Sequence, residues 1–336
     1  MRAMTNAPAL IDGYGRVHTH LRISVTDRCN LRCFYCMPDD HVVFKPRAEL
    51  LTFEEIERVV RVLVPMGVNK LRITGGEPLV RLQVDRLIAR LAAIPGVRDL
   101  AMTTNGMLLA DQARALRRAG LRRLNISLDA LDESMFEQIS RRNGLARVLQ
   151  GISVAGQMGF EKIRLNAVAI CGWTEEQILP LAEFARQHRL ELRFIEFMPL
   201  DADASWSDEQ VLTGREIRRR IESKFGPLIA VPRTDPSQPA VDYQYGDGAG
   251  RVGFIEPVTH PFCDHCNRLR LTAEGQFRNC IFSQEEWDAR AVIRGTGSDR
   301  QLAGLVRACV QAKKPGHGID SPEFLRPHRA MYQIGG

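Results

Sequence analysis

Between residues 21 and 197 short apolar runs alternate with longer stretches of helical spacing, and no other feature limits the fold so strongly. The runs fall at 21–25, 71–74, 100–103, 124–128, 163–170 and 192–197 and predict six strands. Helices are predicted between them at 52–66, 84–93, 111–119, 145–158 and 174–188. The first of these has the clearest ends. Thr52 stands three residues before Glu55 in a capping box, Ile56, Val59, Val60 and Leu63 form one apolar face, and Gly67 stops it. Strand-helix units repeated in this way require a parallel sheet, as an incomplete (β/α) barrel or an open doubly wound sheet. After Phe197 the rhythm breaks. A helix is predicted near 213–225, followed by a Pro- and Gly-rich stretch at 232–250, so the chain divides into residues 1–198 and a C-terminal extension at 199–336 in which loops dominate.

At 336 residues, 44% hydrophobic and 26% charged, the composition is that of an ordinary soluble protein. No apolar run is long enough to span a bilayer, and the first twenty residues lack the layout of a signal peptide, so a cytoplasmic location is expected. Eight cysteines in such a chain suit metal binding better than a disulfide framework. The formal charge of +6, with basic doublets such as Arg117–Arg118 and Arg141–Arg142, reads as solvated helix faces and implies neither nucleic acid nor membrane.

The cysteines are grouped. Cys29, Cys33 and Cys36 follow the first predicted strand, where parallel α/β folds place their chemistry. Three thiolates hold three irons of a [4Fe–4S] cubane and leave the fourth open to a small molecule, whereas zinc needs a fourth ligand, for which only His41 is near. Gly75, Gly76 and Glu77 form a Gly-Gly-Glu-Pro turn that closes the second predicted strand and lets backbone approach a ligand. Thr103, Ser127 and Met198 lie at the ends of predicted strands three, four and six. A second triplet, Cys263, Cys266 and Cys280, is again one ligand short; its spacing leaves open both iron–sulfur and zinc completed by His260 or His265. Arg268 and Arg270 lie between its second and third cysteines, and Arg22, Arg72 and Arg193 lie on strands one, two and six, where they are expected to meet at a barrel mouth.

The C-x3-C-x2-C spacing with an aromatic before its last cysteine resembles the signature of the radical S-adenosylmethionine (SAM) superfamily. Further motifs, Leu21 to Asn30, Leu71 to Arg81, Thr104-Asn-Gly106, Asn125 to Asp129, the second triplet and the final Gln333-Ile-Gly-Gly336, are similar to those of the GTP 3',8-cyclase (MoaA) family of molybdenum cofactor biosynthesis. That resemblance implies an incomplete (β/α)6 TIM-like barrel whose C-terminal extension carries a second [4Fe–4S] cluster. It implies a lyase that cleaves SAM to a 5'-deoxyadenosyl radical, takes hydrogen from C3' of GTP and joins C3' to C8. Tyr35, Gly75, Gly76, Glu77, Ser127 and Met198 are then expected to bind SAM, and Arg22, Thr103, Arg72, Arg193, Arg268 and Arg270 to bind GTP. Arg164 stands where the family usually has Lys and is expected to serve in its place, with Lys162 on the same strand face. Gly335 and Gly336 match a terminal Gly-Gly that enters the active site. The resemblance also implies a homodimer, an external electron donor and delivery of the product to cyclic pyranopterin monophosphate synthase. Another radical SAM enzyme, such as a peptide maturase, would carry more C-terminal cysteines, and a non-catalytic iron–sulfur scaffold would complete each ligand set. Cys171 and Cys309 read as small core residues, while His317 and His328 have no role in this scheme.

Overall fold

Backbone pairing delimits the strands. The computed structural model describes residues 8–37, 42–200, 206–319, 321–322 and 324–335. The six predicted strands form as β1 (His20–Ser24), β2 (Lys70–Thr74), β3 (Asp99–Thr104), β4 (Arg123–Ser127), β5 (Lys162–Ala169) and β6 (Glu191–Glu196), each parallel to the next. The returning helices are α1 (Phe53–Leu63), α2 (Val84–Ala92), α3 (Leu109–Arg118), α4 (Glu133–Ser140), α5 (Leu145–Gln157) and α6 (Ile178–Gln187). At α1 both halves of the capping box are made: Glu55 N donates to Thr52 Oγ1 at 3.2 Å, and Thr52 N donates to Glu55 Oε2 at 2.7 Å. Helix α4 is an addition to the expected set. Its start is marked by Asp132, whose side chain accepts from Met135 N at 2.8 Å, a cap of the kind that begins a helix.

The C-terminal stretch contains more strand than its Gly and Pro content suggested. After α7 (Gly214–Phe225) come β7 (Leu228–Ala230), β8 (Val241–Tyr245), β9 (Arg251–Ile255), β10 (Arg268–Leu271), β11 (Gln276–Arg278) and β12 (Trp287–Asp288), then α8 (Ala289–Arg294), α9 (Asp299–Gln311) and α10 (Met331–Ile334). The sheet order is β12-β11-β10-β1-β2-β3-β4-β5-β6-β9-β8-β7. Strand β10 pairs in parallel with β1, and β9 in parallel with β6, so both edges of the six-strand core are covered by chain that follows it. The sheet curls as a partial barrel and does not close.

Alternation along the strands gives this barrel a polar inside. Leu21 and Ile23, Leu71 and Ile73, and Leu124 and Ile126 are almost wholly buried in the apolar core shared with the surrounding helices. Successive side chains point to opposite faces, so Arg22, Arg72, Asn125 and Ser127 face the lumen. A closed barrel of this class fills its interior with branched apolar residues. Here the interior is left as a chamber. Among the described residues no helix is long and apolar enough to cross a membrane.

Cutting the chain after residue 198 would strip β10 from β1 and β9 from β6 and expose two apolar-backed parallel edges. The fragment 1–198 is therefore expected to aggregate, with size-exclusion chromatography as the check; a soluble monomer would show that the first part folds alone.

Candidate active site in the barrel lumen

In-register pairing sets the charge of the lumen. Arg22 pairs with Arg72 on one side and with Arg270 on the other, and one step earlier His20 pairs with Lys70 and Arg268. These side chains, with Arg123, Arg164 and Arg193, line one cavity of about 450 Å³. Every described residue singled out above as a site candidate lines it except Gly335, Lys162, His260 and His265, and Gly336 and His41 lie outside the described residues. Arg22, Arg72 and Arg193 lie mid-strand within the lumen, where the sequence had placed them at a mouth.

The two cysteine triplets occupy opposite ends of this chamber. Cys29 follows the carboxyl end of β1, whereas Cys266 precedes the amino end of β10, which runs parallel to β1. The five-residue β1 separates those levels by roughly 15 Å at 3.3 Å per residue. All six thiols are free of disulfides.

At the first end Cys36 N and Met37 N both donate to Cys33 O, at 2.9 and 2.8 Å, and wrap the loop into a turn. Leu31 N at 3.4 Å and Asn105 Nδ2 at 3.6 Å donate to Cys29 Sγ. Burial, with the nearby Glu77 charge, pushes the Cys29 thiol up to about 11, and burial raises Cys33 and Cys36 as well. Loading metal here must therefore displace protons. Three thiols of one short loop line the chamber, the number that a cubane with one open iron takes. The Tyr35 hydroxyl donates to Asp129 Oδ2 at 2.6 Å, and Asp129 Oδ1 accepts from Val168 N at 2.8 Å, which ties the loop to β5. Burial raises the Asp129 carboxyl to about 6 despite these bonds.

The Gly-Gly-Glu turn packs directly on the approach to Cys29. Gly76 N donates to Thr26 O at 2.7 Å and Glu77 N to Arg28 O at 2.8 Å. A Cβ on Gly75 would come within 2.4 Å of Thr26 O, and one on Gly76 within 2.5 Å of Arg28 O, so only glycine allows this approach. Glu77 is buried and accepts from Leu79 N at 3.0 Å, Thr104 Oγ1 at 2.7 Å and Asn105 N at 2.6 Å. Burial lifts its carboxyl to about 7, with those bonds opposing. Glu77 thus braces the turn against the end of β3, and Asn105 passes the brace on to Cys29.

At the other end Cys266 N donates to Cys263 O at 3.0 Å, and Arg268 NH2 donates to Cys266 Sγ at 3.3 Å. Burial alone would raise the Cys266 thiol, but the Arg268 and Lys313 charges outweigh it and bring it down to about 6. The lumen therefore prefers a thiolate at this position. Neither His260 nor His265 lines the cavity, and among the described residues no three His, Cys, Asp or Glu side chains are grouped to hold a single metal ion. His317 does line it; its Nε2 lies 2.9 Å from Pro257 O and its Nδ1 accepts from Ile319 N at 3.2 Å, so the ring proton sits on Nε2. Cys309 is a core residue, while Cys171 is half-buried with its thiol 3.8 Å from Glu175 Oε1.

Between the ends the basic wall is only partly neutralised. Lys70 pairs with Asp235 at 2.5 Å, Arg123 with Asp99, and Arg193 with Asp242 at 3.0 Å. Arg164 and Lys162 share Glu191, at 2.6 and 2.7 Å. Arg22 and Arg72 make no side-chain hydrogen bond among the described residues, and the Nε of each is buried and unsatisfied, as are Thr103 Oγ1 and Arg193 Nε. Burial and neighbouring guanidinium groups lower the pKa of both arginines. Half-buried guanidinium groups without protein partners are unfavourable, so this part of the wall suits an anion. Lys70, His20 and Arg123 escaped sequence reasoning, although each stands two residues before a lumen residue on the same strand face, a period that identifies them.

The C-terminal tail enters the same space. Gly335 has φ +81°, its carbonyl accepts from Arg270, and a Cβ there would lie 2.7 Å from Thr74 Oγ1 and 3.0 Å from Ser24 Cβ. Ala330 and Tyr332 pack with Met37 against Cys29 and Cys36. Gly335→Ala is expected to expel the tail, seen as faster trimming by a carboxypeptidase at unchanged melting temperature; equal trimming would show that the space is not confining.

Residues 23–185 match the Radical SAM superfamily and residues 190–319 match Molybdenum Cofactor Synthesis C. A GTP 3',8-cyclase of Rhodopirellula baltica is 51% identical over 336 residues, covering 99% of this chain and 94% of the relative. One of Pelotomaculum thermopropionicum is 42% identical over 325 residues, covering 97% and 99%. Among solved structures, Streptococcus suis SuiB bound to S-adenosylmethionine superposes with a TM-score of 0.62 at 16% identity, over 88% of this chain and 69% of that one, a likeness of fold alone. The superfamily's cofactors are a [4Fe–4S] cluster and SAM. With identity of this order over nearly the whole chain, the chain belongs to the GTP 3',8-cyclase family of radical SAM enzymes.

Proposed function

We propose that the chain is a lyase that converts GTP to (8S)-3',8-cyclo-7,8-dihydroguanosine 5'-triphosphate, the first step of molybdenum cofactor biosynthesis. One observation carries this reading: two three-thiol sets face each other through a single chamber whose connecting wall holds unpaired guanidinium groups. An electron carrier has no need of such a chamber.

Cys29, Cys33 and Cys36 hold the first cluster, and Gly75, Gly76, Glu77, Ser127, Tyr35 and Met198 frame the SAM site. When bound, that cluster and SAM supply the radical that takes hydrogen from the ribose. Cys263, Cys266 and Cys280 hold a second [4Fe–4S] cluster at the end where the base of GTP lies, with Arg268 beside it. Arg22, Arg72 and Arg270 neutralise the triphosphate together with Lys70, Arg164 and Arg193, and Thr103 adds a hydroxyl. For the last three cations, phosphate has to draw the group from its present carboxylate, so Asp235, Glu191 and Asp242 set the selectivity for a highly charged ligand. The terminal pair Gly335 and Gly336 is the catalytic tail in this reading, with the Gly335 carbonyl held by Arg270. The same reading takes the enzyme to be a cytoplasmic homodimer fed by an external electron donor, with its product passed to cyclic pyranopterin monophosphate synthase.

Anaerobic reconstitution with iron and sulfide, followed by dithionite, SAM and GTP, tests the assignment. Formation of 5'-deoxyadenosine together with a cyclised GTP is expected, and SAM cleavage without loss of GTP would sink the substrate assignment. Arg72→Ala is expected to weaken GTP binding roughly 30-fold, at about 2 kcal/mol for a lost charge-assisted contact, measured by equilibrium dialysis. An unchanged affinity would remove Arg72 from the triphosphate site.

A further inference from the structure

Two buried cations outside the lumen hold backbone rather than ligand. Arg16 lies in the N-terminal hairpin closed by the bridge between Ile11 and Val17, and it is 8% exposed. Its Nε donates to Asp12 Oδ2 at 2.7 Å, NH1 donates to Cys263 O and Pro315 O at 2.8 Å each, and NH2 donates to Lys314 O at 2.7 Å. Asp12 is itself fixed by the backbone N–H groups of Tyr14 and Arg16, at 2.9 and 3.0 Å. Lys313, 5% exposed, donates Nζ to Asn279 O and, at 3.3 Å, to Arg268 O. Among the described residues no carboxylate lies within ion-pair distance of that ammonium.

The held carbonyls map onto the second triplet. One belongs to Cys263, one to the residue before Cys280, and one to the residue two after Cys266. Each cysteine segment is therefore tied to a cation whose own position is set by the core. Ordering a loop residue costs conformational entropy, so segments ordered beforehand do not meet that cost when metal arrives. A buried ammonium with only neutral acceptors is unfavourable unless negative charge lies close, and the Cys266 thiolate, whose charge the Lys313 ammonium favours, supplies it.

We propose that Arg16 and Lys313 are positioning residues that preform the second cysteine triplet, Arg16 through the Cys263 carbonyl and Lys313 by joining the Arg268 and Asn279 carbonyls and supplying a counter-charge. This rests on reading that triplet as an iron–sulfur site. Neither side chain lines the cavity, so neither touches substrate.

The test loads the full chain and its Arg16→Gln, Arg16→Lys, Lys313→Met, Lys313→Arg and Cys263→Ser variants with iron and sulfide without oxygen. Iron and acid-labile sulfide per chain, the electron paramagnetic resonance spectrum after reduction, and the melting temperature before loading are then measured. Arg16→Gln and Lys313→Met are expected to lose about half the iron and to match the spectrum of Cys263→Ser, with melting near that of the wild type, while Arg16→Lys and Lys313→Arg recover part of the loss. Wild-type iron and spectra in the Gln and Met variants would overturn the proposal. So would loss of iron from both sites in step with a lowered melting temperature, which is a folding defect. If Cys263→Ser carries as much iron as the wild type, the second site itself is refuted and the proposal goes with it.

Discussion

The parallel pairing of β1 with β2 on one side and β10 on the other is the contact on which the rest depends. Its register sets Arg270, Arg22 and Arg72 side by side at one level. A shift of one residue would turn all three guanidinium groups into the apolar layer and bring Leu21 and Leu71 into the lumen, at a cost no single contact could offset. The apolar packing of Leu21, Ile23, Leu71 and Ile73 against the helices therefore fixes where the charge sits. Packing on one face of the sheet decides the chemistry on the other.

Charge inside a barrel has to be managed, and two strategies are visible. Lys70, Arg123, Arg164 and Arg193 are each matched by a carboxylate, which makes their charge tolerable. Arg22 and Arg72 are left without a partner, which makes it receptive. The balance between the two groups tunes how strongly an anion is drawn in. Outside the wall, Lys313 turns its charge to carbonyls, and Arg16 divides its donors between Asp12 and carbonyls, so that both hold the backbone beside the second triplet.

The later part of the chain is woven into the earlier part rather than set beside it. Its strands cover both edges of the six-strand core, and its last described residue lies against Ser24 and Thr74 on β1 and β2. Arg270, close to the second triplet in sequence, holds the carbonyl of Gly335, while Tyr332 packs near the first triplet. One short tail thus joins the first-triplet end of the chamber to the middle of its basic wall.

Much of this was legible in one dimension, because local rules govern it. Six strands, α1 with its capping box, both cysteine triplets and the Gly-Gly-Glu turn follow from spacing within a few residues, and spacing survives without knowledge of the fold. The helix at Glu133–Ser140 and the hairpin of β8 and β9 were missed: one shows only a short cap signal, and the other stands in Gly- and Pro-rich sequence. Pairings between distant residues were beyond reach. Lys70 meets Asp235 across 165 positions and Arg16 meets Cys263 across 247, and no local pattern marks either. The sequence by itself determined which residues carry the chemistry, since ligand type and spacing are local properties. Only the tertiary structure decided that both triplets open on one chamber, which arginines stay unpaired there, and that the tail enters it, because each depends on strand register and on contacts the chain makes only after it has folded back on itself.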